Sequence, residues 1–295
     1  MSDKMRLIVV SGLSGSGKSV ALHVLEDLGY YCIDNMPAAL LKSLLHEVTK
    51  SSDQIGTRVA VGVDARNRQS DLESLPGVIS DLRDNGIQTD VLFLQASDDI
   101  LLKRYSETRR RHPLADHGTE LRSAIERERE LLGQVINAAD LIIDTSRTSI
   151  YELAGVIRER IDRRRSRVLS VLIQSFGFKH GIPADADFVF DLRCLPNPYW
   201  IPELRSLTGL DTAVAGFLDE QPAFSRMYDD ILAFLGQWIP DYVSSDRSYL
   251  TVALGCTGGQ HRSVYMTEKL ASALKQQHDP VLTRHNEITT VAKPG

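Results

Sequence analysis

Cysteine is scarce in this chain: Cys32, Cys194 and Cys256 are the only three, and they stand far apart. Their odd number and wide spacing exclude a disulfide framework and a CxxC metal site, and they fit a reducing compartment. Long apolar runs are lacking too, since none approaches the roughly 20 residues that a membrane span requires. No basic-then-apolar leader precedes the first apolar segment. Nor is there a surplus of positive charge: 34 Lys and Arg face 39 Asp and Glu, for a net charge of −5, so any nucleic-acid contact must come from a local patch. Internal repeats and low-complexity segments are absent. These absences predict a cytoplasmic protein without a membrane partner. With 42% hydrophobic and 25% charged residues the composition is that of a folded chain, and 295 residues exceed a typical single core, so two domains are expected.

What is present begins with Gly12-Leu13-Ser14-Gly15-Ser16-Gly17-Lys18-Ser19, a complete P-loop. Arg6 to Val10 (RLIVV) before it reads as a buried strand. Val20 to Leu28 (VALHVLEDL) after it repeats its apolar residues at helical spacing. The glycines let successive backbone N–H groups converge on a phosphate at the electropositive start of a helix. Lys18 is expected to reach the β- and γ-phosphates, and Ser19 to offer its hydroxyl to Mg²⁺. The motif implies a purine nucleoside triphosphate.

The segments Tyr30 to Ile33, Val59 to Val63, Val91 to Leu94 and Leu141 to Ile143 read as further strands, with amphipathic stretches at Leu72 to Asn85 and Ser123 to Gln134 between them. That alternation predicts an α/β fold: a P-loop NTPase- or kinase-like parallel sheet with ligand chemistry at the carboxyl ends of its strands. Tyr151 to Ile161 reads as a closing helix. The charged break Arg163-Arg164-Arg165-Ser166-Arg167 divides domain 1–165 from a second, smaller α/β domain, 166–295. There the strands are Val168 to Ile173, Phe188 to Asp191 and Tyr249 to Leu254. Helices are expected near Thr212 to Leu218, Phe224 to Trp238 and Val264 to Gln277. The tail after His278 has no clear periodicity.

A P-loop alone leaves kinase, GTPase and ATP-driven switch open. Asp64, Asp34 and Asp144 each follow an apolar run and are candidates to organise Mg²⁺. Asp64-Ala65-Arg66-Asn67 is the best placed, because carboxylate, guanidinium and amide together can meet metal, phosphate and base. Arg104 and Arg109-Arg110-Arg111, followed by His112-Pro113, resemble the arginine-bearing lid of small-molecule kinases and keep that reading open. In the second half, Cys256-Thr257-Gly258-Gly259-Gln260-His261-Arg262-Ser263 joins a strand to a helix and implies a phosphorylated ligand. It also matches C-x5-R-[ST], in which a loop-activated thiolate attacks phosphate, although Gly255 precedes the cysteine.

As a set, GLSGSGKS (12–19), DNMP (34–37), DARN (64–67), YSETRRRHPL (105–114), SFGFKHGIP (175–183), FDLRCLPNP (190–198) and GCTGGQHRSV (255–264) resemble the RapZ-type (RNase adapter) P-loop proteins of bacteria, over nearly the whole chain. The resemblance implies ATPase and GTPase activity, with ATP, GTP and Mg²⁺ at residues 12–19 and guanine nucleotide also at 64–67. It further implies a C-terminal domain that binds a phosphorylated amino sugar through Asp191, Cys256, Thr257, Gly258, Gly259, His261 and Arg262. In some members that domain binds small regulatory RNA for delivery to an endoribonuclease. A homo-oligomer is expected. The tail from Arg284 to Lys293 is poor in cations, and little RNA affinity is expected from it.

Overall fold

Parallel strands covered by helices on both faces read as continuous apolar runs, and such runs line up side by side here. The computed structural model describes residues 5–44, 58–108, 111–115, 120–162, 169–245 and 247–288. The chain falls into two units, Met1–Arg163 and Arg164–Gly295; the basic run 163–167 expected as a linker lies outside the described residues, as does the tail beyond 288.

The first unit holds one all-parallel sheet of β1 (Arg6–Gly12), β2 (Tyr31–Ile33), β3 (Arg58–Gly62), β4 (Gln88–Gln95) and β5 (Leu141–Asp144), in the order β2-β3-β1-β4-β5. β1 is central and buried along its whole length. Its one charged residue, Arg6, is buried as well. The guanidinium donates to the Asp90 carboxylate at 3.4 Å and to the Ile161 carbonyl at 2.8 Å, which ties the end of the unit back to its sheet. Its helices include α1 (Lys18–Asp27), α2 (Gln69–Asp84), α3 (Asp98–Thr108), α4 (Leu121–Leu131), α5 (Gly133–Asn137) and α6 (Ile150–Ile157). Leu72, Ile79, Leu101 and Ile125 pack with Leu7, Val9, Val61 and Phe93 in one core. The stretch expected as one helix over 123–134 is two, α4 and α5, because the chain leaves helical geometry at Leu132 and restarts at Gly133. α6 opens on a reciprocal capping box between Ser149 and Glu152, which satisfies two otherwise orphaned N–H groups.

The second unit repeats the plan in smaller form. β6 (Ser170–Gly177), β7 (Phe188–Asp191), β8 (Tyr249–Cys256) and β9 (Val281–His285) form a parallel sheet in the order β7-β8-β6-β9. The helices are α7 (Thr212–Asp219), α8 (Pro222–Ser244) and α9 (Arg262–Leu274). Val171, Ile173, Val252 and Leu254 meet Leu235, Met266 and Leu270 in the core. β9 lies in the tail that has no clear periodicity. It is an edge strand, buried at Val281 and only half-buried beyond it, so its apolar signal is weak. β8 runs on to Cys256 and α9 starts at Arg262, so the loop between them is shorter than the sequence suggests.

Candidate functional site

Both candidate loops leave a buried interior strand and enter a helix. In the first, Gly12 has φ +146°, and a Cβ there would stand 2.2 Å from the Leu94 carbonyl oxygen. Glycine therefore lets Leu13 N–H reach that same oxygen at 3.0 Å, which anchors the loop to β4. Lys18 opens α1, and its Nζ donates to the Gly12 carbonyl at 2.6 Å. Burial pushes the Lys18 pKa down, against the pull of Glu128, Asp64 and Asp34. Two of the loop's other carbonyls are held from outside: Arg104 of α3 donates to Gly15 at 3.0 Å, and the Thr145 hydroxyl to Ser16 at 2.9 Å. Arg104 also binds the Thr145 hydroxyl and carbonyl, at 3.0 and 2.6 Å. Of the arginine cluster, Arg104 thus belongs to the loop, Arg111 is exposed, and Arg109 and Arg110 lie outside the described residues.

Asp64 follows β3 beside the loop. Burial opposes its charge, but the guanidinium and backbone N–H of Arg66, with Lys18, outweigh burial and hold the carboxyl below its usual range. Arg66 donates through Nη2 at 2.5 Å and Nε at 3.0 Å. Ala65 is buried. Asn67 is committed to the backbone, accepting from Ala38 N–H at 2.7 Å and donating to the Asp64 carbonyl at 3.1 Å. Asp34, just past β2, accepts from Asn35 N–H at 2.7 Å, and Asp144 accepts from Ser146 N–H at 2.8 Å. Ser19 is exposed. Ser19 and Asp64 are hard oxygen donors, the kind that fits Mg²⁺ shared with nucleotide phosphates, and Mg²⁺ needs no all-protein cage.

At this loop sequence reading missed Glu128. It sits on α4, fully buried, and its carboxylate accepts from Ser14 N–H at 2.8 Å, from the Ser14 hydroxyl at 2.6 Å and from His112 Nε2 at 3.1 Å. In the charge-dense run Glu126-Arg127-Glu128-Arg129-Glu130 it looks like part of a solvated face. The available signal was its spacing, four residues after the buried Ala124 and four before the buried Leu132.

In the second loop, Gly259 has φ +75°, and a Cβ there would meet Glu287 Oε2 and Gly177 N at 2.7 Å. Cys256 is buried. Its Sγ lies 3.2 Å from both Ser263 Oγ and Gly259 N. Burial opposes ionisation, but these bonds and Arg262 outweigh it and lower the thiol pKa. Arg262 is itself buried, and its Nη1 donates to the carbonyls of Arg193 at 3.0 Å and Leu195 at 2.9 Å. Nη2 reaches Thr257 Oγ1 at 3.3 Å. The guanidinium expected as the loop's bidentate phosphate donor is thus largely spent on backbone. His261 Nε2 faces the Leu204 carbonyl at 3.2 Å, and burial holds its pKa down, so it lies neutral against backbone. Gly258 leaves open space where a side chain would be. Asp191 is exposed and held ionised chiefly by Arg193, which donates to it through Nη2 at 2.6 Å and lies over the Phe178 ring at 3.9 Å. Arg193 is thus a surface cation near this loop, and sequence reading did not single it out.

A two-unit α/β protein with a P-loop after the central strand of one sheet and a second glycine-turn loop in the other is the class this geometry defines. The RapZ-like N-terminal domain model matches residues 5–165, and the RapZ C-terminal domain model matches residues 169–289. The chain belongs to the RapZ family, as its motifs indicate. A protein of Halorhodospira halophila is 55% identical over 285 residues, covering 97% of this chain and 99% of its own. One of Alkalilimnicola ehrlichii is 52% identical over 284 residues, covering 96% of this chain and 98% of its own. Both are named nucleotide-binding proteins. Among solved structures, a shikimate kinase from Bacteroides thetaiotaomicron matches 54% of this chain and 98% of its own at 16% identity, with a TM-score of 0.36. No helix among the described residues is long and apolar enough to cross a membrane.

Proposed function

We propose that the chain is a cytoplasmic regulatory protein that binds and slowly hydrolyses ATP or GTP at the P-loop and senses a phosphorylated sugar at the Cys256 loop. The observation that carries the first half is Lys18 at the start of α1, its ammonium bonded inside the loop and within the field of Asp64 and Glu128. A phosphate chain entering the loop would exchange the Gly12 carbonyl for its own oxygens at Lys18 Nζ. Backbone N–H groups at the start of α1 would hold the remaining charge. Ser19 and Asp64 would hold Mg²⁺, which would supply positive charge against that developing on the phosphates during hydrolysis. Arg66 keeps Asp64 ionised for that purpose.

At the second loop the phosphate would meet the open Gly258 turn and the start of α9, with Arg193 as the cation able to swing toward it. A phosphorylated amino sugar fits, since Asp191 stands ready for an ammonium once Arg193 turns away. Arg262 shapes the loop by holding the carbonyls opposite. Of the cations in the described part of this unit, Lys269 is paired with Asp219, and Arg284 with Asp185 and Gln174, which takes them from RNA. A homo-oligomer would have to supply what one chain lacks.

Calorimetric titration of the full chain with ATP, GTP and amino-sugar phosphates, with and without Mg²⁺, tests the reading. Heat from nucleotide that disappears in Lys18→Ala supports it; identical isotherms for the two proteins refute it. A small-molecule kinase is the second reading, favoured by Arg104 of α3, whose guanidinium stands at the P-loop and donates to the Gly15 carbonyl at 3.0 Å. A phosphorylated product formed faster than free phosphate would decide for it.

A further inference from the structure

The carboxylate of Glu128 occupies donors of the P-loop itself, and its surroundings differ from those of Asp64. Asp64 has its own guanidinium, Arg66, whose hydrogen bonds outrank Lys18 in holding its charge. Glu128 has neutral partners: the N–H and hydroxyl of Ser14, and His112. The imidazole tautomer follows from geometry, because Nδ1 accepts from Leu114 N–H at 3.1 Å, which leaves Nε2–H as the donor to Glu128. Lys18 is a cation that offsets the Glu128 charge, and Glu128 is in turn the foremost charge acting on Lys18. Both the Glu128 and His112 side chains are fully buried, at 0% exposure.

A carboxylate taken out of water is tolerable while paired and costly once its partner is withdrawn. A triphosphate needs Lys18 at its β- and γ-phosphates and brings negative charge to the donors of the loop. Two anions then claim the same cation and neighbouring donors. A diphosphate, with one phosphate fewer and less charge, makes a weaker claim.

We propose that Glu128, seated by His112 on Ser14 of the P-loop, is the residue that sets phosphate-chain specificity: an internal anion that the terminal phosphate of a nucleoside triphosphate must displace or endure. This rests on the nucleotide reading of the P-loop and goes beyond it. The His112 contact gives displacement a structural consequence, since residues 111–115 are fastened to the loop through Glu128. A triphosphate that expels the carboxylate would release that segment, whereas a diphosphate would leave it seated.

The test uses the full chain with Glu128→Gln, which keeps the shape and removes the charge. Affinities for ATP and ADP, and for GTP and GDP, are measured by calorimetry with Mg²⁺ at fixed salt. The variant is expected to tighten triphosphate binding about tenfold and diphosphate binding less than about threefold, which shifts the ratio between them. His112→Asn, which loosens the carboxylate without removing it, is expected to move the ratio the same way by a smaller factor. Thermal melting of each variant shows that the unit is intact. A wild type that binds nucleotide and a ratio that does not move in Glu128→Gln would overturn this inference alone. A loss of affinity for tri- and diphosphates alike would also overturn it, in favour of a carboxylate that merely braces the loop. Absence of nucleotide binding in wild type and variants would overturn both this inference and the reading beneath it.

Discussion

The P-loop and the Cys256 loop are built on one plan, strand to glycine turn to helix at the carboxyl edge of a parallel sheet, yet they treat their cations oppositely. Lys18 is a long, single-point donor bonded to the Gly12 carbonyl, a partner that a phosphate oxygen can replace. Arg262 is a planar fork spread over the carbonyls of Arg193 and Leu195 and the hydroxyl of Thr257 in its own loop. A lysine with one replaceable bond can serve a ligand, whereas an arginine that satisfies buried carbonyls serves the fold. The same geometry therefore gives two different sites, and the side chain's prior commitments decide which.

The largest expected effect breaks the comparison at Arg262. Arg262→Ala leaves buried carbonyls without donors and should destabilise the second unit by about 3 kcal/mol, the upper range for bonds to a charged group. Thermal or denaturant unfolding of the full chain would reveal it; a variant as stable as wild type that loses only sugar-phosphate binding would return Arg262 to the role of ligand donor. Lys18→Ala should leave the fold intact and weaken nucleotide binding at least tenfold, or about 1.4 kcal/mol. The contrast between these two variants is the sharpest measure of the difference between the loops.

Smaller effects refine it. Asp64→Asn should slow Mg²⁺-dependent turnover by about tenfold or more, and Asp144→Asn by much less, since it is Asp64 that Arg66 and Lys18 hold ionised beside the loop. Steady-state phosphate release compares them, and equal losses would remove the preference for Asp64. Cys256→Ser should change sugar-phosphate affinity by less than about threefold, because the loop's N–H groups remain; an aryl-phosphate hydrolysis that vanished in this variant would instead make the loop a phosphatase.

The smallest effect is a pH dependence. Asp64 and Glu128 both have carboxyl groups held below their unfolded values, which are about 3.9 and 4.3. Their stabilisation is therefore complete above those values and is lost as pH falls through the lower, folded ones. Melting curves of the wild type should drop in acid, and Glu128→Gln should flatten that drop; an unchanged acid slope would mean that Glu128 contributes nothing to it.

Much of the molecule was legible in the order of its residues. Strand positions followed from apolar runs, and the P-loop from glycine spacing, because both depend on neighbours in sequence. β9 was not legible, since an edge strand carries little apolar signal. Glu128 was hidden because five charged residues in a row resemble a solvated face, and only the burial of α4 turns one of them inward.

By itself the sequence determined the α/β alternation, the two glycine turns and the reagents within them, since periodicity and backbone freedom are local properties. The tertiary structure decided which polar groups were already spoken for. It turned Arg262 and Asn67 toward backbone, set Arg193 on the surface against Asp191, and carried Glu128 across 114 residues of chain to Ser14. Hydrogen-bond partners at such separations depend on how helices pack against sheets, and burial makes each such pairing obligatory.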